Sequence, residues 1–192
     1  MKKNIRIKDT QLLSDNYYIL KKYSIEHINE NDKKEIHQRE VYDRGNGAVI
    51  LLYHPEKKSV ILTKQFRIPT YVNGNIDGML IEACAGQLDE ENPESCIIRE
   101  TEEETGYHVK NVKKIFESYM SPGVMTEILY FFIAKYDESM KKSKGGGLDD
   151  EGEEIEVMEL DFDEAYSMIK TGEIKDSKTI MLLQYAKIHI FH

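Results

Sequence analysis

From Ala48 to Tyr53 the chain reads Ala-Val-Ile-Leu-Leu-Tyr with no polar interruption, the pattern of a strand buried on both faces. A polar loop, His54 to Ser59, carries Pro55, and Val60–Phe66 predicts a second strand, so the two form a hairpin. Met79–Cys84 predicts a short strand. Val112–Met120 and Glu127–Tyr136 predict two more around the turn Ser121-Pro122-Gly123, and Ile155–Leu160 predicts another. Asn92 followed by Pro93 reads as an N-cap and first helical position, and Gly106 as a stop, which predicts a helix over Pro93–Thr105. Phe162–Thr171 predicts an amphipathic helix ended by Gly172. Thr179–His189 predicts a last helix with Leu182, Leu183 and Ala186 available for packing.

Residues 1–41 are different. They are polar and rich in Lys and Glu, with weak alternation in Tyr17-Tyr18-Ile19-Leu20. This predicts two or three antiparallel strands with too few apolar residues for their own core. They are expected to pack on another surface, such as that of a partner subunit. The expected division is a β arm over residues 1–42 and a main domain over 43–192.

Composition sharpens this picture. At 192 residues and 40 % hydrophobic, the chain suits one domain plus an arm. The net charge of −9 is a poor match for nucleic acid or anionic membranes, so neither is expected as a partner. The same balance fits carboxylates gathered around a divalent cation. Cys84 and Cys96 have neither zinc-ribbon nor redox spacing and read as small core residues. No apolar stretch follows the basic first residues, and the longest apolar run, Ile128–Ala134, is far too short to span a bilayer. A cytoplasmic location is expected. The six histidines show no ligand spacing and are assigned no role.

The helix over Pro93–Thr105 breaks local rules. Glu100, Glu103 and Glu104 lie at i, i+3 and i+4 and share a face, with Glu102 nearby. Ile98, Thr101 and Thr105 are expected on a less polar face. Each like-charge pair costs a helix about 0.2–0.5 kcal/mol, and the macrodipole disfavours anions in this half. Arg99 pairs with Glu103 at best and does not neutralise the group. A hard cation would remove the conflict, and Mg²⁺ takes its ligands from carboxylates, carbonyls, waters and phosphates. The plainer alternative is a solvated acidic face.

Ala85-Gly86-Gln87-Leu88-Asp89-Glu90-Glu91, with Arg99-Glu100-Thr101-Glu102-Glu103-Glu104-Thr105-Gly106-Tyr107, resembles the Nudix box: a Gly, a Glu, then Arg-Glu-apolar-x-Glu-Glu-x-Gly-apolar. Gly86 to Glu91 is one residue shorter than the pattern, which is expected to tighten the turn without losing ligands. Thr101 replaces an apolar residue. Further segments resemble the bacterial branch of this superfamily that splits GDP-mannose. They are Ser14-Asp15-Asn16-Tyr17, Arg39 to Gly47, Gln65-Phe66-Arg67, Tyr119 to Gly123 with Thr126-Glu127, Gly145-Gly146-Gly147 and Lys170 to Ile174. Pro122 is a mark shared with ADP-ribose-type relatives.

The resemblance implies an α/β Nudix fold, a mixed sheet sandwiched between helices (α/β/α), with the N-terminal antiparallel arm swapped in a homodimer. It implies Mg²⁺-dependent hydrolysis of a nucleoside diphosphate sugar, with Mn²⁺ as a substitute ion. The alternatives are an ADP-ribose or ADP-sugar pyrophosphatase and a non-catalytic nucleotide-sugar sensor. Glu100, Glu104 and Glu103 would hold metal with the Ala85 carbonyl, and Arg99 would orient the glutamates. In the second acidic cluster, Asp149 to Glu154, one register makes Glu151 the base and Glu153 a ligand; the other makes Glu151 the ligand. Glu127 is a second candidate base, or a contact to sugar or phosphate-bound water. Substrate contacts implied by the resemblance are Arg67, Ala85, Gly86, Gln87, Glu104, Glu127, Asp150, Glu151 and, at the start of the last helix, Lys178. Tyr17, Gln38, Arg39 and Glu40 would reach the nucleotide from the partner subunit, Tyr17 by stacking on a base. Bland alternatives stay open: a surface salt bridge for Arg67, a strand-edge charge for Glu127, solvation for Lys178 and strand packing for Tyr17.

Overall fold

The computed structural model describes residues 5–29, 31, 33–148 and 152–192, which form two compact units. The first contains residues up to Asn46 together with Tyr119–Ile128. Its antiparallel sheet runs β1 (Ile5–Asp15), β2 (Ile19–Ile28), β3 (Lys34–Asp43) in that order. Ile5, Ile7, Leu12 and Ile36 are exposed on it, as expected for strands too polar to build a core. The expected turn forms, with the Val124 and Met125 amides donating to the Ser121 carbonyl. Beyond it the chain is stitched to β3: the Tyr42 amide donates to the Val124 carbonyl at 2.7 Å, and the Thr126 hydroxyl to Asp43 at 2.8 Å.

The second unit holds Gly47–Ser118 and Leu129–His192. Its sheet runs β10 (Glu156–Asp161), β5 (Ser59–Phe66), β4 (Gly47–His54), β9 (Ile128–Lys135), β8 (Lys113–Tyr119). β4 and β9 pair in parallel, while β5 runs antiparallel to both β4 and β10, so the sheet is mixed as expected. The β4–β5 hairpin pairs only near its turn. Farther on the strands part, and β6 (Met79–Glu82) pairs with β5 while β7 (Ala85–Gln87) pairs with β4. The expected strand Met79–Cys84 ends at Glu82 as β6; the chain crosses this opening through Ala83 and Cys84 and begins β7, which lies beyond the expected strand. A short helix, α1 (Ile68–Val72), follows β5 and was not foreseen; five residues carry too little periodicity to announce it.

β4 is buried on both faces. Ala48, Ile50 and Leu52 share a core with Cys96 and Ile97 of α2 (Pro93–Thr105), while Val49 and Leu51, pointing the other way, are also fully buried. There α3 (Phe162–Thr171) packs on β5 and β10, and α4 (Ser177–His189) on β4. This is the α/β/α sandwich. α4 begins two residues earlier than expected, because Asp176 caps it through the Thr179 amide. No described helix is long and apolar enough to cross a membrane.

Candidate active site

α2 has the expected bounds. Asn92 accepts a bond from the Ser95 amide, Pro93 opens the helix, and Gly106 closes it at φ 78° with its amide on the Glu102 carbonyl. The buried face differs from the expected one. It consists of Cys96, Ile97, Thr101, Glu104 and Thr105, with Ile98 only partly buried. Glu104, 2 % exposed, therefore belongs to the packed side and not to a solvent-facing acidic stripe. Thr101 is tolerated in the core because its hydroxyl donates to the Ile97 carbonyl at 2.6 Å, leaving no orphan.

The loop before the helix turns over Leu88–Glu91. The Glu91 amide donates to the Leu88 carbonyl at 2.7 Å, with Asp89 at φ 46°. Glu91 still reaches Arg99, whose guanidinium forks to Glu91 (3.1 Å), Glu100 (3.0 Å) and Glu103 (2.7 Å). Glu102 turns away to pair with His108. Gly86 on β7 lies directly beneath Glu100, and a Cβ there would overlap the Glu100 carboxyl.

The C-terminal carbonyls of α2 are answered by a glycine loop. The Gly146 amide donates to the Glu104 carbonyl at 2.8 Å, the Gly147 amide to the Glu103 carbonyl at 3.2 Å, and the Lys142 amide to the Gly106 carbonyl at 2.7 Å. Gly145, at φ 68°, lies so close that a Cβ would strike the Glu104 carbonyl oxygen. These amides offset the negative end of the macrodipole where the acids cluster. The same loop leads to Glu153, whose carboxylate accepts the Leu148 amide and lies against Gly147.

The carboxylates are short of positive charge. Burial, with the neighbouring Glu100 and Glu153, pushes Glu104 up to about 8; Cys84 and Arg67 pull the other way. Burial also lifts Glu100 to about 7, against Arg99 and with help from Glu103 and Glu153. Glu104 accepts only a long bond, 3.3 Å, from the Ala85 amide. An oxygen-only group that Arg99 neutralises only in part, with Gly86 making room for it, fits a hard divalent cation. Cys84 and Cys96 are both buried and free, and burial raises both thiols, that of Cys96 to about 12. They are core residues.

Arg67 follows β5 directly. Its Nε donates to Glu82 at 2.6 Å. The second Glu82 oxygen bonds Lys178 Nζ, which also bonds Asp176 at 2.9 Å. Asp176 accepts the Thr179 hydroxyl, and that hydroxyl oxygen accepts the Ala83 amide at 2.6 Å. Arg67's ion pair is therefore to a buried carboxylate rather than a surface one. Lys178 is neither solvated nor free; it holds Glu82. Glu82 was missed in the sequence, where a single Glu inside an apolar strand carries no spacing signal. Ala85, Gly86 and Gln87 form β7 beside this network.

The structure brings Arg67, Ala85, Gly86, Gln87, Arg99, Glu100, Glu103, Glu104, Glu153 and Lys178 into the second unit, and Tyr17, Gln38, Arg39, Glu40 and Glu127 into the first. Glu127 is no strand-edge charge: it is 6 % exposed and paired with Arg44 at 3.1 Å. Tyr17 is 86 % exposed in the β1–β2 turn, edge-on to Tyr18, so it is not packed within a strand. Gln38, Arg39 and Glu40 are exposed on β3. Asp150 and Glu151 lie outside the described residues.

A model of the NUDIX domain matches residues 43–183, and a model described as the GDP-mannose pyrophosphatase NudK N-terminal domain matches residues 4–42. The chain is 54 % identical over 192 residues to the GDP-mannose pyrophosphatase of Salmonella arizonae, covering 100 % of this chain and 98 % of that one. It is 57 % identical over 188 residues to the GDP-mannose pyrophosphatase of Pectobacterium atrosepticum, covering 98 % and 96 %. Its fold is similar to the crystal structure of an ADP compounds hydrolase, with TM-score 0.71 over 95 % of this chain and 94 % of that one, at 14 % identity.

Proposed function

The chain belongs to the NUDIX family, and from that premise we propose that it hydrolyses GDP-mannose to GMP and mannose 1-phosphate with Mg²⁺. The observation that carries the chemistry is buried Glu104 next to partly buried Glu100 beside Gly86, with Arg99 as the cation paired to Glu100 and shared with Glu91 and Glu103. The choice of sugar nucleotide rests on the relatives' names.

Glu100, Glu103, Glu104, Glu153 and the Ala85 carbonyl would hold Mg²⁺, and Mn²⁺ would fit the same oxygens. The electrostatic coupling of Glu153 to both Glu100 and Glu104 supports the register that makes it a ligand and leaves Glu151 as base. Bound Mg²⁺ supplies neutralisation of the diphosphate and a more acidic water. Arg67 uses Nε for Glu82, which leaves its two terminal amino groups for a phosphate, and Glu82 with Lys178 keeps the guanidinium oriented. Arg99 gathers Glu100 and Glu103. Glu127 is committed to Arg44, so we assign the proton to Glu151 and a water at sugar or phosphate to Glu127. Nothing in this scheme needs a covalent intermediate, because phosphoryl transfer depends on positioning and charge stabilisation.

Residues 1–42 would form the arm of a homodimer, exchanging so that Tyr17, Gln38, Arg39 and Glu40 meet the partner's nucleotide; the exposed Ile5, Ile7, Leu12 and Ile36 support this. A cytoplasmic enzyme without nucleic-acid or membrane partners fits the acidic charge. Incubation with Mg²⁺ and GDP-mannose, GDP-glucose or ADP-ribose, with chromatography of products, tests the reading. GMP and mannose 1-phosphate are expected to form fastest. Preference for ADP-ribose would favour the ADP-sugar reading, and tight binding without turnover would favour a sensor.

A further inference from the structure

The antiparallel register of β2 and β3 sets His27 opposite Glu35 and Ile25 opposite His37. Paired residues point to one side of a sheet, and so do residues two apart on a strand. His27, Glu35 and His37 therefore share one face of the N-terminal sheet. One ligand atom from each lies within 4.8 Å of the others. His27 and His37 are ten residues apart in sequence, a spacing that carries no ligand signal. Only the pairing register joins them.

We propose that His27, Glu35 and His37 form a binding site for a first-row transition ion such as Zn²⁺, separate from the carboxylate site of α2. Two imidazoles and a carboxylate are the donors such ions prefer, whereas Mg²⁺ takes oxygens. A tetrahedral ion with bonds of about 2.0–2.1 Å spaces its ligand atoms about 3.4 Å apart. The observed spread is wider, so binding would draw the ligand atoms together, and the partly exposed His37 side chain has room to turn inward.

The carboxylate is already aimed. Asn29 Nδ2 donates to Glu35 Oε1 at 2.7 Å, and Glu35 Oε2 lies 3.4 Å from His37 Nε2. Asn29 is itself fixed, since its side-chain oxygen accepts the Asn31 and Lys33 amides. Outer hydrogen bonds of this kind orient metal ligands. The surroundings on that face are Ile5, the register partner of His27, Ile25, the partner of His37, and Ile7, which pairs with Ile25. Lys8 and Lys34 instead pair with Glu26, which points to the opposite face. Arg39, two positions beyond His37, is the cation on the same face of β3, and its guanidinium bonds the Gln38 carbonyl. Three protein ligands leave at least one coordination position for water or an incoming group.

The test uses the full chain, stripped by chelator and then kept in excess Mg²⁺ so that the α2 carboxylates are occupied. Calorimetric titration with Zn²⁺ is expected to show one equivalent bound and a raised melting temperature. His27→Gln and His37→Gln should each weaken that uptake at least about tenfold and remove the thermal shift, and Glu35→Gln, which keeps the Asn29 bond, should weaken it less. Cu²⁺ in place of Zn²⁺ should give an electron paramagnetic resonance spectrum with coupling to two imidazole nitrogens, a signature the oxygen-only α2 site does not produce. Melting of the variants in chelator reports whether they fold, independently of the ion. Equal Zn²⁺ uptake by native protein and the His27→Gln/His37→Gln double variant would overturn the proposal, as would no uptake while Mg²⁺ is present. Neither result depends on nucleotide-sugar hydrolysis, so this site and the proposed activity stand or fall separately.

Discussion

Replacing Glu104 by Gln should make the ion-free protein more stable and weaken its response to Mg²⁺. Gln keeps the size of the side chain and an oxygen for the Ala85 amide, but carries no charge into a position 2 % exposed. A carboxyl whose folded-state pKa is raised holds its proton more tightly folded than unfolded. Its contribution to stability is therefore full below about 4.5, falls as pH rises to about 8, and is level above. Each pH unit in that window costs about 1.4 kcal/mol, so the ceiling is about 5 kcal/mol. Glu100 lies close enough to share the titration, which spreads the step over both groups, and we expect a gain of about 2–3 kcal/mol at pH 8. Urea unfolding in chelator at pH 5, 6, 7 and 8 reads this directly: native protein should lose stability across the series and the variant should lose much less. With saturating Mg²⁺ the order should reverse, because only the native carboxylate gains a partner. A variant no more stable than native protein at pH 8 in chelator, or one that gains as much from Mg²⁺, would refute the reasoning.

Three further outcomes follow from the geometry. Glu82→Gln should lower kcat/KM for GDP-mannose by about 10–100-fold through a loosened Arg67 while Mg²⁺ affinity stays near native, which steady-state kinetics at several Mg²⁺ concentrations will separate. Gly86→Ala should displace the Glu100 carboxyl and weaken Mg²⁺ binding, measured by calorimetry, with a smaller effect on the melting temperature. Asn92→Ala should cost about 1 kcal/mol in denaturant unfolding by removing the α2 cap, with activity per folded molecule retained.

The regular elements of the main unit were legible because their signals are local. Asn92-Pro93 and Gly106 delimit α2, and the uninterrupted Ala48–Tyr53 run marks a strand covered on both sides. The acids of α2 were legible as a conflict within one helix. What escaped was set by contacts between distant segments. Glu104 lies on the packed side because β7 and Arg67 approach it, and helical spacing alone placed it with its neighbours Glu100 and Glu103. Lys178 looked like a solvated helix-start lysine until Glu82 and Asp176 closed around it. His27 and His37 meet only through a strand register that composition does not announce.

Two main-chain bonds, from Gly146 and Gly147 to the last turn of α2, join stretches of chain that are some fifty residues apart in sequence at Glu100 and Glu153. These bonds tie the helix to the loop, so the spacing of Glu100 and Glu153 depends on a backbone link as well as on their side chains. A residue with a Cβ at Gly145 would strike the Glu104 carbonyl, wedge helix and loop apart and misalign carboxylates that it never touches.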